Sequence, residues 1–313
     1  MHSNDRVVRH LARAEGSVLT VARLAEAGIS ADVVSARVRA GYWQRPFRGI
    51  VVVHSGRLEW RELARAAVLA AGRGAALSHG SAGVVHGLAE ARRTIVVSVP
   101  AERHVAPAPR LVIVRRAPMP PSAGALPTVT PDHTVLDLLG TVRTDDDAVG
   151  LVTAGIRIGL TAESLLAAAA GRGRLRHRGL LLELLAGPDP GIESPLERRY
   201  LKDVERAHGL PRSVAQVRDV VDGAWIRADR RYEEQRTRVE LDGRLAHLGR
   251  EAKDLWRDNA VLLTRRDITL RYRWTHVAGI PCRTAAQVIR GLRSGGWTGA
   301  PRRCGPSCAF PGP

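Results

Sequence analysis

Residues 187 to 195 read GPDPGIESP. Proline lacks the N–H that a helix interior or a central strand requires, and glycine loses the most backbone freedom on folding, so no regular element runs through such a stretch. It is the strongest boundary signal in the chain and predicts two compact bodies. The length of 313 residues agrees, because single cores stop growing near roughly 250–300 residues. Pattern then subdivides the chain into a helix-turn-helix unit over 1–56, an α/β and helical extension over 57–186, a second body over 190–300 and a disordered tail over 301–313.

Hydrophobic residues make up 44% of the chain but aromatic ones only 4%, so its cores must be built from Ala, Val and Leu. The formal net charge of +17 points to a polyanionic partner, with nucleic acid the commonest. Part of that charge reflects an Arg-, Ala- and Gly-inflated composition of the kind a GC-rich genome imposes, so charge alone does not identify the partner. The cysteines, at 282, 304 and 308, are odd in number and give no disulfide framework, which fits a reducing cytoplasm. Cys304 and Cys308 form CGPSC, but a structural zinc site needs four ligands and no histidine lies beside them; a disordered tail is expected. The start, MHSNDRVVRHLARAEG, lacks the apolar core of a signal peptide. No apolar run reaches the length of a membrane span, so no membrane partner is expected.

Residues 6 to 53 read as helix, helix, helix, strand. Gly16, Gly28 and Gly41 stop the helices, and Thr20 and Ser30 stand at N-cap positions. YWQRPFRGIVVV then turns into a β-branched strand. Two helices across a tight glycine turn, followed by strands, form a winged helix-turn-helix pattern. Arg37 and Arg39 on the second helix, with Arg45 and Arg48 on the wing, are the candidate DNA contacts. A small three-helix unit with solvated arginines is the competing reading. Further on, RTIVVSVP and RLVIVRRA read as strands, while His79 and His86 lack companions at ligand spacing and are assigned capping and packing roles.

Beyond the boundary the order is helix, strand, strand, helix, strand, helix. Ser194 caps a helix that begins with Pro195, and AWIRADRRY and TRVELDG form two strands joined by EEQR. RVELDGRLAH places Glu240 and Asp242 two residues apart on a strand, hence on one face, with Val239 and Leu241 on the other. Like charges so close need a cation between them. Asp229 on the preceding strand and Glu197 in the first helical turn can converge there. Such an oxygen-rich set suits Mg²⁺, with His247 placed to move a proton or touch phosphate. The competing reading is a surface hairpin whose acids pair with nearby arginines.

These residues carry a resemblance. SPLERRYL, RADRRYEEQRTRVELDGRLAH, WRDNAVLL and ITLRYRWTHV resemble the very-short-patch-repair-like endonuclease domains of the PD-(D/E)XK superfamily, over roughly 190 to 300. The resemblance implies a restriction-endonuclease-like mixed sheet flanked by helices, cleaving DNA with Mg²⁺ or Mn²⁺. It implies metal and catalytic roles for Glu197, Asp229 and Glu240, with Asp242 in the final slot and His247 following. A lysine usually fills that slot. Arg244 or Lys253 are the candidates to replace its charge, and Arg244 also joins the DNA-binding set. The stretch LTVARLAEAGISADVVSARVRAGYWQRPFRGIVVV with ALSHGSAGVVHGL is similar to the winged-helix domain of AbiEi-type antitoxins from abortive-infection type IV toxin–antitoxin systems. That implies operator binding, often as a dimer, and a nucleotidyltransferase-like toxin as partner. The expected fold is therefore α+β and α/β. Three functions follow: a Mg²⁺-dependent DNA endonuclease, a non-catalytic repressor and antitoxin that keeps a degenerate nuclease fold, or an interaction protein that neutralises a cognate toxin through its middle helices.

Overall fold

The computed structural model describes residues 3–186, 194–241 and 251–310. The chain divides into two compact units, Met1–Thr141 with Gly155–Leu175 and Val142–Ala154 with Arg176–Pro313. Both mix helices with sheets, so the fold is α+β, as expected. Among the described residues no helix is long and apolar enough to cross a membrane.

The first unit opens with α1 (Ser3–Glu15), β1 (Val18–Thr20), α2 (Val21–Glu26), α3 (Ala31–Arg39), β2 (Gln44–Phe47) and β3 (Ile50–Val52). Local chemistry sets these boundaries. The Thr20 hydroxyl accepts the Arg23 N–H at 3.0 Å, and Ser30 does the same for Val33. Between the two helices Gly28 takes φ +81°, a left-handed conformation that a side chain would strain. The strands form a small antiparallel sheet in the order β1-β3-β2. Val8, Leu11, Leu24, Ile29, Val34 and Val51 close a core beneath the helices.

The rest of this unit comprises α4 (Trp60–Ala71), β4 (Ala76–Leu77), α5 (His79–Val85), β5 (Ile95–Pro100), β6 (Leu111–Arg116), β7 (Ser122–Ala123), β8 (Thr128–Val129) and α6 (Pro131–Leu139). After α7 (Asp145–Arg157) comes α8 (Ala162–Ala170). The sheet runs β6-β5-β4-β8-β7, and α4 buries Ala64, Ala66, Ala67 and Ala71 in the core it shares with β5. Alanine lets helix and sheet approach closely, which is how a chain poor in aromatics fills its interior. The His86 ring meets the Val129 carbonyl at 2.8 Å, a packing role.

Behind that sheet lies a buried ionic cluster. The Asp137 side chain has no exposed surface and meets Arg116 and Arg172, each at 2.7 Å, with the His79 ring at 3.6 Å. Burial lowers the His79 pKa, opposed by the Asp137 charge. One carboxylate therefore neutralises cations from a strand and from the turn after α8. Removing it takes away the carboxylate that the two guanidinium groups share. Asp137→Ala is expected to destabilise the first unit by about 3–5 kcal/mol in urea unfolding, and Asp137→Asn by less because it keeps the shape.

The second unit contains α9 (Arg178–Leu185) and α10 (Pro195–Arg199), which passes directly into a π-helical segment, Tyr200–Arg206. Ser194 caps α10 through the Glu197 N–H, with Pro195 in the first turn. Then follow β9 (Val214–Val221), β10 (Ala224–Tyr232), β11 (Thr237–Leu241), α11 (Glu251–Arg265), β12 (Ile268–Tyr272), a π-helical turn Thr275–Gly279 and α12 (Pro281–Ser294). The sheet order is β12-β11-β10-β9; β11 and β12 are parallel and the other pairs antiparallel. The helix α11 provides the crossover that a parallel pair requires. Val239, Leu241 and Tyr272 face a core shared with Leu196, Tyr200 and Val204 and with Val288, Ile289 and Leu292 of α12.

The tail corrects an expectation. Residues 301–310 are ordered rather than disordered: Cys308 and Phe310 are buried in the same core. Arg302 donates its backbone N–H to the His208 carbonyl at 2.9 Å and its guanidinium to the Arg206 carbonyl at 2.7 Å. Apart from the buried Cys308 and Phe310 the stretch holds Pro, Arg, Gly and Ser with Cys304 and Ala309, too little apolar surface to read as structure from composition.

Candidate active site

Three of the predicted acids fall within the second unit. Glu240 lies on β11, one strand in from the edge, and only 8% of it is exposed. The β10–β11 ladder ends at the pair Arg230 and Val239. One residue further, the Asp229 carboxylate accepts the Leu241 N–H at 2.7 Å, so a side chain takes over where backbone pairing stops. That bond fixes Asp229 beside Glu240. Glu197 arrives from α10: its Oε1 accepts from Gln216 Nε2 at 3.0 Å. Gln216 stands between the ladder pairs Val217–Ala228 and Ala215–Arg230, the register position of Asp229, and it adopts φ +53°. A row of polar side chains thus runs Glu197, Gln216, Asp229, Glu240.

A buried network holds α10 against the strands. Glu205, on the π-helical continuation, accepts from Tyr232 Oη at 3.1 Å and from the Ser213 hydroxyl, and Tyr232 meets Tyr200 Oη at 2.9 Å. Burial, first of all, raises the pKa of both phenols. Arg230 completes the network on Ser213.

The electrostatics single out Glu240. Burial and then the Asp229 charge push its pKa up to about 7, against the pull of Arg257, Arg271 and Arg238. Arg271 is its register partner on β12 and is gripped by Asp258 of α11 at 2.7 and 2.8 Å. Arg238, also on β11, is 1% exposed, and burial lowers its pKa. Asp229, Glu240 and Glu197 carry carboxylate oxygens, the donor type that hard cations prefer. A cation there would relieve the repulsion that raises the Glu240 pKa.

Asp242, Arg244 and His247 lie outside the described residues, and Lys253 falls in the first turn of α11. The structure supplies cations that sequence reading did not propose: Arg271, Arg257 and Arg238 act on Glu240. The alternation in ITLRY was the available signal, but it names Arg271 only once the parallel β11–β12 register is known. In the first unit Arg39, Arg45 and Arg48 are exposed. Arg37 is half-buried, bonded to Asp5 at 2.6 Å and stacked over Tyr42, so part of its charge serves the fold. On the second unit, Arg218, Trp225, Ile226 and Arg227 line a concavity of about 380 Å³, and Trp225 is 77% exposed.

The raised Glu240 pKa has a consequence for stability. Between about pH 4.5 and 7 the folded chain holds a proton on Glu240 that the unfolded chain has released, so this residue's contribution to stability falls as pH rises through that window. Glu240→Gln removes the titration. The variant is expected to match the parent near pH 4.5 and to exceed it at pH 8 by on the order of 1–3 kcal/mol, measured by denaturant unfolding at both pH values without divalent metal.

No family model matches the chain, and no curated protein matches it. Among solved structures it is similar to the RV2827C protein from Mycobacterium tuberculosis, at 20% identity over 54% of this chain and 71% of that one, with a TM-score of 0.39. A likeness at that level assigns neither fold nor function.

Proposed function

We propose that this chain is a DNA-binding protein whose second unit is a metal-dependent deoxyribonuclease of the PD-(D/E)XK kind. The observation that carries the reading is the Asp229–Glu240 pair at the end of a ladder, with Gln216, at the register position of Asp229, bonded to Glu197. A purely structural sheet gains nothing from a second carboxylate whose charge raises the Glu240 pKa. Asp229, Glu240 and Glu197 would hold Mg²⁺ or Mn²⁺. An ion held by these residues would supply an activated water and offset charge on a phosphodiester. Glu240 gives up its proton near neutral pH as the site becomes charged for binding. Arg271 and Arg257 supply positive charge beside the carboxylates, in place of the superfamily's usual lysine. Trp225 with Arg218 and Arg227 offers a stacking face and phosphate contacts of the kind single-stranded or frayed nucleic acid uses.

The helix-strand-helix-helix-strand-strand order of the first 52 residues supports a winged helix. Its exposed Arg39, Arg45 and Arg48 would contact phosphates or guanine edges, with the chain acting in the cytoplasm. That feature also supports a second reading, a repressor and antitoxin that binds its operator without cutting it, paired with a nucleotidyltransferase-like toxin.

Two measurements decide. Plasmid and linear DNA incubated with the purified chain are expected to be cleaved with Mg²⁺ or Mn²⁺, untouched with EDTA, and untouched by Glu240→Ala at unchanged circular dichroism. Sequence-specific binding without cleavage under any metal selects the repressor instead. In either case, Arg39→Ala with Arg48→Ala is expected to weaken binding at all sequences. Each arginine that no longer neutralises a phosphate lowers the slope of log affinity against log salt by about one. An unchanged slope excludes the winged-helix interface.

A further inference from the structure

The soft ligands of the second unit stand apart from its carboxylates. His208, Cys282, Cys304 and Cys308 bring one donor atom each into a group whose members all lie within 4.8 Å of one another. The Cys282 and Cys304 sulfurs are 3.6 Å apart, as are those of Cys308 and Cys282, and Cys308 Sγ lies 3.6 Å from His208 Nε2. These three separations are close to edges of a tetrahedron around zinc, for which metal–sulfur bonds of about 2.3 Å and metal–nitrogen bonds of about 2.0–2.1 Å give roughly 3.8 and 3.5 Å. A disulfide, with its sulfurs about 2.05 Å apart, has a different geometry.

The surroundings are arranged for ligation. His208 is fully buried, and its Nδ1 meets the Val204 carbonyl at 3.1 Å. Donation there fixes the tautomer that leaves the Nε2 lone pair facing the sulfurs. Phe310 sets its ring edge-on to the imidazole at 6.3 Å and directs its backbone N–H at Cys308 Sγ at 3.4 Å. Cys282 sits in the first turn of α12. Three segments distant in sequence therefore converge: the end of the π-helical stretch, the start of α12 and the CGPSC tail. None contributes to the Asp229–Glu240 site.

We propose that these four residues form a structural zinc site of three cysteines and one histidine. Four protein ligands close the tetrahedron and leave no open position for a substrate, so its role is to fasten the tail and α12 to the helix that carries Glu197. The proposal is independent of the nuclease reading, because soft sulfur and hard oxygen select different ions.

The test uses the full chain, expressed with added zinc and purified under reducing conditions. Elemental analysis is expected to find about one zinc per chain, with the three thiols shielded from a thiol reagent until a strong chelator is added. Replacing zinc by cobalt is expected to give intense tetrahedral absorption with thiolate-to-metal charge transfer. Cys304→Ser alters an exposed ligand and is expected to lower zinc affinity at least about tenfold, with a lower melting temperature. Should that variant fail to fold, the cobalt spectrum of the parent chain decides. A folded chain with little metal, three freely reactive thiols and no cobalt thiolate band overturns the proposal. So does a Cys282–Cys304 disulfide that persists when the chain is purified with zinc and reductant.

Discussion

A carboxylate buried inside a sheet must be neutralised, paired or protonated, and Glu240 imposes that constraint on the whole second unit. The protein meets it from three directions. Arg238 shares its strand, Arg271 stands in register on β12, and Arg257 approaches from α11. Asp229 then works against these cations, and the balance leaves Glu240 poised near neutrality rather than locked as an anion. Ion pairing alone would have been served better without Asp229. Asp229 is the feature on which the proposed cation site rests.

Much of this unit is legible in the sequence because its local signals agree. Ser194 with Pro195, the EEQR turn and the alternation of Val239 and Leu241 against Glu240 each reappear in the structure. What could not be read depends on pairings between distant segments. Arg271 becomes a partner of Glu240 only through a parallel register across α11. Gln216 enters through a left-handed backbone conformation that no glycine or asparagine announces. His208 is nearly a hundred positions from Cys304, so the spacing rules that serve local zinc motifs do not apply to it. In the first unit, β5 and β6 pair in parallel across a connection from 101 to 110, where hairpin reasoning expects the opposite direction.

The two units manage charge differently. In the first, one Asp137 carboxylate serves two guanidinium groups. In the second, acids and cations alternate along the sheet, and the sulfur ligands stand at a separate place on the same scaffold. The exposed Arg39, Arg45 and Arg48 belong to neither arrangement. Net charge, which alone says little, thus divides into a structural share and a share held at the surface.

The GPDPGIESP stretch is not where the second unit begins. Val149 of α7 belongs to its core, and the Asp146 carboxylate accepts both the backbone N–H of Thr275 at 3.0 Å and its hydroxyl at 2.8 Å. A fragment started at residue 190 therefore leaves a gap where Val149 sat and an uncapped turn at Thr275. Anyone excising this half for crystallisation or assay needs residues 142–154 as well, supplied in the same polypeptide or as a complementing peptide.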